Sequence, residues 1–373
     1  MSAESENTAS GPVGVSEQLE RTHLADHSHT EDEIDEDDKD KDEDGDEDEE
    51  TGAVQYQGTV IPDDNQQEID ADQNLTDGLD PETTFIDLVH LKITSLEDLD
   101  LARFRKLESL CLRQNLISSM VGVRELSPTL EELDFYDNRI NHISSSIQHL
   151  ANLKNLDLSF NKIKNIKNLE ALVKLENLYF VANKIREIKN LETLTKVTNL
   201  ELGSNKIEVI ENIDKLVDLA QLWLGKNRIR KLQNLDTLVN LRVLSIQSNR
   251  ITKMEGLEHL VSLEELYLSH NGIQKLEGLQ NNLNLQVLDV TSNKLTELSG
   301  LKHLTKLTDF WCSYNQISSF ENVGEQLGKL PDLECVYFEG NPIQTENPTA
   351  YRRKLKLYLG PSINKIDATY LRS

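Results

Sequence analysis

The chain has 373 residues, of which 65 are acidic and 39 basic, giving a formal charge of −26, and 37% are apolar but only 5% aromatic. That is length enough for two ordinary domains, and the excess of carboxylates argues against a generic nucleic-acid binder, which uses a basic surface to displace counterions from phosphates. No apolar run approaches the roughly 20 residues that span a bilayer, and the opening MSAESENTASGPVG has neither the basic start nor the apolar core of a secretory leader, so a soluble, intracellular protein without membrane contact is expected.

The charge divides sharply along the chain. Residues 1–84 hold 29 acidic and 3 basic side chains, whereas residues 85–373 hold 36 of each. Glu31 to Glu50 alone packs 16 carboxylates and 2 lysines into 20 positions, with Ile34 as its one large apolar residue. Such a segment cannot bury enough surface to offset the entropy of ordering, so residues 1–84 are expected to be a disordered acidic tail. Thr30, followed by three acidic residues, is a candidate kinase site, and His23, His27 and His29 cluster too loosely to suggest a metal.

From about residue 85 the sequence repeats itself. Asparagines in the frame L-x-L-x-x-N-x-I fall at Asn115, Asn138, Asn161, Asn183, Asn205, Asn227, Asn249, Asn271, Asn293, Asn315 and Asn341, spaced by 23, 23, seven times 22, and 26 residues. At the degenerate start, Leu91 replaces the asparagine. Alternate side chains of a strand point to opposite faces, so the two leucines of L-x-L enter a core and the residue between them faces out. The asparagine amide can serve backbone groups of its own and the neighbouring turn. The remaining apolar positions are too few for a long helix and predict a 3₁₀ or single helical turn on the outer side. The fold expected over 85–341 is therefore an α/β leucine-rich-repeat solenoid with a parallel concave sheet and a short 3₁₀ or helical convex side. Residues 342–373, with Leu355, Leu359 and Ile363 at helical spacing and Pro361 as a stop, are expected to form a C-terminal capping helix.

The outward column between the paired leucines reads Cys111, Asp134, Asp157, Tyr179, Glu201, Trp223, Ser245, Tyr267, Asp289, Trp311, Tyr337. Five of these eleven are aromatic, including both tryptophans of the protein, and four more are acidic. On the open side of a solenoid nothing from the same chain is expected to cover them, and exposed aromatics set among charges have the composition of a protein-binding surface with anchor residues. Glu265 and Asp309 stand just before this column, and Tyr136, Ser159, Gly203, Gly225, Gln247 and Ser269 after it. At about 4.8 Å per strand the stripe is on the order of 50 Å long, which suits a globular protein with a basic rim. A second column, directly after the asparagine, is basic: Arg139, Lys162, Lys184, Lys206, Arg228, Arg250 and Lys294. Acidic neighbours such as Glu187, Glu208 and Glu255 make it read as a solvated flank rather than a phosphate track.

No nucleophile–base pair, metal cluster or phosphate loop is legible, and scattered histidines such as His142, His259 and His303 suit turns. The three cysteines, Cys111, Cys312 and Cys335, lie at no metal or disulfide spacing and are expected as reduced thiols. A non-enzyme without a cofactor is expected.

The 22-residue period, the runs LCLRQNLI (110–117), ELGSNKI (201–207), LGKNRIRKLQNLDTLVNL (224–241), LYLSHNGI (266–273) and IDATYL (366–371), and the closing segment from Tyr351 to Asp367 resemble the leucine-rich-repeat regulatory subunits of protein phosphatase type 1, the mitotic regulators also called regulatory subunit seven. The resemblance implies a concave face that docks on the phosphatase catalytic subunit. The family's binding positions match by residue at Asp157, Glu201, Asp289, Trp311 and Tyr337; Tyr179 and Trp223 stand where it typically has phenylalanine, and Asp309 where it has glutamate. Tyr267 joins them from the column itself. The chain lacks the basic-Val-x-Phe/Trp docking motif of many phosphatase subunits, so the folded face should carry binding. Trp311→Ala is expected to weaken it at least tenfold with folding unchanged. The resemblance further implies a role in mitosis and chromosome segregation, residence in nucleus and cytoplasm, a monomer when free, and room for a further phosphatase inhibitor subunit in the assembly. The alternative is a structural adaptor similar to the spliceosomal leucine-rich-repeat protein that scaffolds an RNA-binding partner.

Overall fold

The computed structural model describes residues 75–371; the acidic run, Thr30 and the histidine cluster lie outside them. Fourteen short strands form one sheet in strict chain order: β1 (Phe85–Asp87), β2 (Ser109–Cys111), β3 (Glu132–Asp134), β4 (Asn155–Asp157), β5 (Asn177–Tyr179), β6 (Asn199–Glu201), β7 (Gln221–Trp223), β8 (Val243–Ser245), β9 (Glu265–Tyr267), β10 (Val287–Asp289), β11 (Asp309–Trp311), β12 (Cys335–Tyr337), β13 (Lys365–Ile366) and β14 (Thr369–Tyr370). Every pairing is parallel except that of β13 with β14, and equivalent frame positions face each other, as Leu156↔Leu178 and Asp157↔Tyr179. One apolar core runs the length of the solenoid between sheet and return path.

The asparagine ladder is built as its chemistry requires. Asn161 donates from Nδ2 to the carbonyls of Leu158 and Ser159 in its own turn, at 3.1 Å each, and of Phe135 in the preceding repeat at 2.9 Å, while its Oδ1 accepts the N–H of Ile140 at 2.9 Å. The pattern recurs from Asn115 to Asn341. Each amide thus removes several buried backbone groups from the unsatisfied set. A second ladder, not anticipated from the sequence, lies on the convex side. Asn168, Asn190, Asn212 and Asn234 adopt positive φ and donate to Ile143, Ile166, Ile188 and Ile210 carbonyls. Gly256, Gly278 and Gly300 take over the same backbone conformation in the next three repeats. At Gly256 a Cβ would stand 2.8 Å from the Leu232 carbonyl oxygen, so the glycine there answers both φ and space.

Repeat length sets the outer path. The 22-residue repeats return through successive i→i+3 bonds, such as Leu172 N–H to Leu169 and Leu175 N–H to Leu172, the single 3₁₀-type turns expected on the outer side. The two 23-residue repeats gain five-residue 3₁₀ segments, Val121–Glu125 and Ser145–His149. The 26-residue repeat gains α1 (Phe320–Leu327), capped by the Ser319 hydroxyl, which accepts the Asn322 N–H at 3.1 Å.

The two ends correct the expected boundaries. Thr76, assigned from sequence to the tail, is buried and donates to the Leu99 carbonyl at 2.7 Å, and Arg103 donates to the Thr76 carbonyl. The packed region therefore reaches back at least to Thr76, whose hydroxyl satisfies a buried carbonyl of the first repeat. At the other end, after a single turn α2 (Pro342–Thr345), the cap helix α3 spans Tyr351–Tyr358. It stops before Leu359, so Ile363 is not on it. Ile363 instead leads into β13, which extends the sheet. There Asp367 stands in for the missing next repeat: its Oδ1 accepts the Phe338 and Glu339 N–H groups and the Tyr351 hydroxyl at 3.0–3.1 Å.

Candidate protein-binding interface

The strands place two columns of side chains on the concave face, the one singled out from sequence and another two residues earlier. Along β3 to β7 both columns are polar. Glu132 accepts from Ser109 and Asn155, Asn177 donates to Asn155 Oδ1 at 2.6 Å, and Gln221 accepts the Trp223 indole N–H at 3.3 Å. Asp157, Tyr179, Glu201 and Trp223 are all partly exposed here. Asn199 donates at 3.4 Å to both the Tyr179 hydroxyl and Glu201 Oε1, while its own Oδ1 is buried and accepts nothing among the described residues. Burial raises the Glu201 carboxyl above its ordinary value of 4.5, Asn199 partly offsets that, and the nearby Asp157 carboxylate adds to it. Burial likewise lifts Asp134, although Arg113 lies 3.3 Å away. Burial thus dominates at both carboxyls, at Asp134 despite its ion pair with Arg113.

Along β8 to β12 the stripe is packed. The expectation that nothing covers these side chains fails for Tyr267, 1% exposed, and Trp311, 4% exposed, and for Ser245 and Asp289 between them, at 2% and 0%. The cause is alternation of size. Trp223 and Tyr267 stand two strands apart but lean over Ser245 until their rings are 6.5 Å apart and 18° from parallel. Tyr267 and Trp311 close over Asp289 at 6.2 Å, and Trp311 meets Tyr337 edge-on at 6.1 Å. Lys365, on β13, sits 5.4 Å above the Tyr337 ring and ends the row. Tyr267 donates to Glu265 at 2.7 Å, and burial beside that carboxylate drives its phenol strongly upward, so it stays protonated. Asp289 Oδ1 accepts the Thr291 N–H at 2.9 Å, and Asp309 accepts from Thr308 at 2.8 Å.

The structure therefore brings all nine candidate residues, Asp157, Tyr179, Glu201, Trp223, Tyr267, Asp289, Asp309, Trp311 and Tyr337, onto one face, but in two states. Two consequences correct the sequence reading: Trp311→Ala removes a packed ring and so should not leave folding unchanged, and the rings of the column that remain accessible are Tyr179, Trp223 and Tyr337. The amide row Asn155, Asn177, Asn199 and Gln221 went unnoticed, although its fixed place before each core leucine was visible in KNLDL, ENLYF, TNLEL and AQLWL. Among the described residues no group of histidine, cysteine and carboxylate side chains could hold a metal ion, and no helix is long and apolar enough to cross a membrane.

Segments 151–194, 239–281 and 283–324 match the model of leucine-rich repeats in two copies. A protein phosphatase 1 regulatory subunit SDS22 of Saccharomyces cerevisiae is 67% identical over 317 residues, 84% of this chain and 94% of that protein. The chain belongs to the SDS22 family of leucine-rich-repeat regulatory subunits of protein phosphatase 1. SDS22 of Schizosaccharomyces pombe is 48% identical over 107 residues, 29% of this chain and 30% of that one. Members of the SDS22 family are regulatory subunits, so the chain is non-catalytic. The solenoid itself is shared more widely. An internalin of Listeria monocytogenes superimposes with a TM-score of 0.65 at 25% identity, covering 77% of this chain and 87% of the internalin, which speaks to the fold alone.

Proposed function

We propose that this SDS22-family chain binds the catalytic subunit of protein phosphatase 1 through its concave face and thereby controls the enzyme's activity, assembly or targeting, in mitosis and chromosome segregation, in nucleus and cytoplasm. The observation that carries the reading is Glu201: a carboxylate held above its ordinary value, beside Asp157, an unfilled Asn199 acceptor and two accessible rings, Tyr179 and Trp223. A lysine or arginine entering there would relieve the repulsion, donate to Asn199 and rest against an aromatic face. The packed rings further along supply a rigid apolar floor that needs no ordering on contact. A further inhibitor subunit would have to bind the phosphatase or a different surface of the solenoid, which is monomeric when free.

Titrating purified catalytic subunit against the wild type and Tyr179→Ala/Glu201→Gln tests this. Loss of at least about tenfold in affinity is expected, since a desolvated anchor contributes about 2–4 kcal/mol. Equal affinities would remove the concave face from the model, and phosphatase activity measured in the same titration gives the sign of regulation.

A further inference from the structure

Each repeat turns away from its strand through a residue in the left-handed region, with φ between 53° and 56° at every such position from Gln114 to Tyr314. Small or polar side chains suit that conformation, and a bulky apolar one does not. Ala182, Ser204, Ser248 and Ser292 hold the position in four repeats. In the turn after β4 it is held by Phe160, which is 44% exposed. A phenylalanine there carries backbone strain and leaves apolar surface in water, so folding alone does not call for it.

The ring ends a short stack on the rim that follows the strands. Arg113, one repeat before Tyr136, lies 4.1 Å from the centre of its ring, and Phe160, one repeat after, lies 4.8 Å from it, tilted by 48°. Tyr136 is thus flanked on both sides, and Phe160 is the ring left open. The next turn offers Val181 and Ala182, both half-buried, and the Phe160 N–H donates to the Val181 carbonyl at 2.6 Å. The three turns 136–141, 159–164 and 181–186 hold five cations, Arg139, Lys162, Lys164, Lys184 and Arg186, against one carboxylate, Asp137. All five are exposed, and among the described residues none has a carboxylate within 4.0 Å. Glu187, expected to offset this charge, is taken by Lys189 at 3.1 Å. The Lys162 and Lys184 N–H groups donate to the Ile140 and Ile163 carbonyls of the preceding turns at 2.8 and 2.9 Å, which stacks the two lysines about one strand spacing apart, where like charges repel.

We propose that Phe160 and the cations around it form a second docking surface, separate from the concave columns, for an acidic segment of a partner protein that carries one apolar side chain. The apolar side chain covers the open ring of Phe160 beside Val181, and carboxylates before and after it meet Lys162 and Lys184, with Lys164 and Arg186 within reach of longer acidic runs. Charge complementarity sets the sign of the partner, and the exposed ring sets the need for an anchor within it. Five unpaired cations exclude a basic peptide. A single strand of nucleic acid would match the charge, but such ligands use successive stacking platforms, and with Tyr136 flanked on both sides one ring alone is open.

Fluorescence anisotropy on the full-length chain tests this with three end-labelled probes: the peptides EEDEFEDEE and EEDESEDEE, and an oligothymidylate of about the same charge. At about 0.1 M salt the screening length of about 10 Å limits the influence of distant charges. The phenylalanine peptide should bind at least about tenfold more tightly than its serine twin. Phe160→Ser should abolish that preference. Because serine already occupies this turn position as Ser204, Ser248 and Ser292, the thermal midpoint should stay within about 2 °C. Lys162→Glu/Lys184→Glu, at exposed positions, should weaken both peptides at least about fivefold. Equal affinities of the two peptides for the wild-type chain, a preference that survives Phe160→Ser, or wild-type binding by the double lysine variant would each overturn the proposal. Oligothymidylate bound more tightly than either peptide, and lost in Phe160→Ser, would overturn it in favour of a nucleic-acid site.

Discussion

The two halves of the concave stripe use the same backbone frame for opposite ends. From Asp134 to Glu201 the outward side chains are three carboxylates and Tyr179, all partly exposed, and burial raises Asp134 and Glu201 in pKa, at Asp134 despite its ion pair with Arg113. From Ser245 to Trp311 large and small side chains alternate, and each small one is roofed by the rings on either side. Periodicity cannot separate the two, since both obey L-x-L. What separates them is whether neighbouring repeats offer complementary volumes. One half behaves as a surface waiting for charge, the other as an extension of the core that happens to face outward.

Trp311→Ala should break this contrast most visibly. It removes a ring that is 4% exposed and touches both Tyr267 and Tyr337, and truncations of that kind cost about 3–5 kcal/mol. Chemical denaturation of the isolated chain should register that loss; an unchanged midpoint would mean the row is surface after all. Tyr179→Ala, in the polar half, should do the reverse, weakening phosphatase binding by about 2–4 kcal/mol while the denaturation midpoint stays put. A third variant addresses the volume argument itself. Ser245 is 2% exposed beneath Trp223 and Tyr267, so Ser245→Leu should overpack the row and cost about 1–3 kcal/mol. A neutral Ser245→Leu would mean that the rings roof nothing.

Much of this was legible before any coordinates. The asparagine ladder follows from one amide per repeat at fixed spacing, because no other side chain supplies donors and an acceptor on so short a stem. The convex ladder escaped notice because Asn234 and Gly256 share a backbone conformation rather than a chemistry. Ile363 was misplaced because helical spacing persists in sequence beyond the point where the backbone leaves the helix, at Leu359. The short β13 and β14 hold too few residues to show any alternation. The burial of Tyr267 and Trp311 could not be read from their column alone, since it depends on what Ser245 and Asp289 leave empty and how far rings two strands apart can lean.

The smallest effect is the most diagnostic of the polar half, because Glu201 makes stability and binding respond to pH in opposite directions. Its folded carboxyl holds a proton above the ordinary 4.5, so between that value and the raised one the folded chain binds more protons than the unfolded chain. Stability from this group is therefore fully present below 4.5 and is lost as pH rises through the folded value. Binding runs the other way, because a basic partner group favours the ionised form and affinity should grow over the same interval. Glu201→Gln should flatten both trends, being more stable than wild type at neutral pH, equal to it in acid, and weaker in phosphatase binding by about a few-fold at neutral pH only. Parallel pH series of denaturation and of affinity for the two proteins resolve this. If both quantities moved in the same direction, the carboxylate would be a buried structural group, and the difference between the two halves of the stripe would be one of degree.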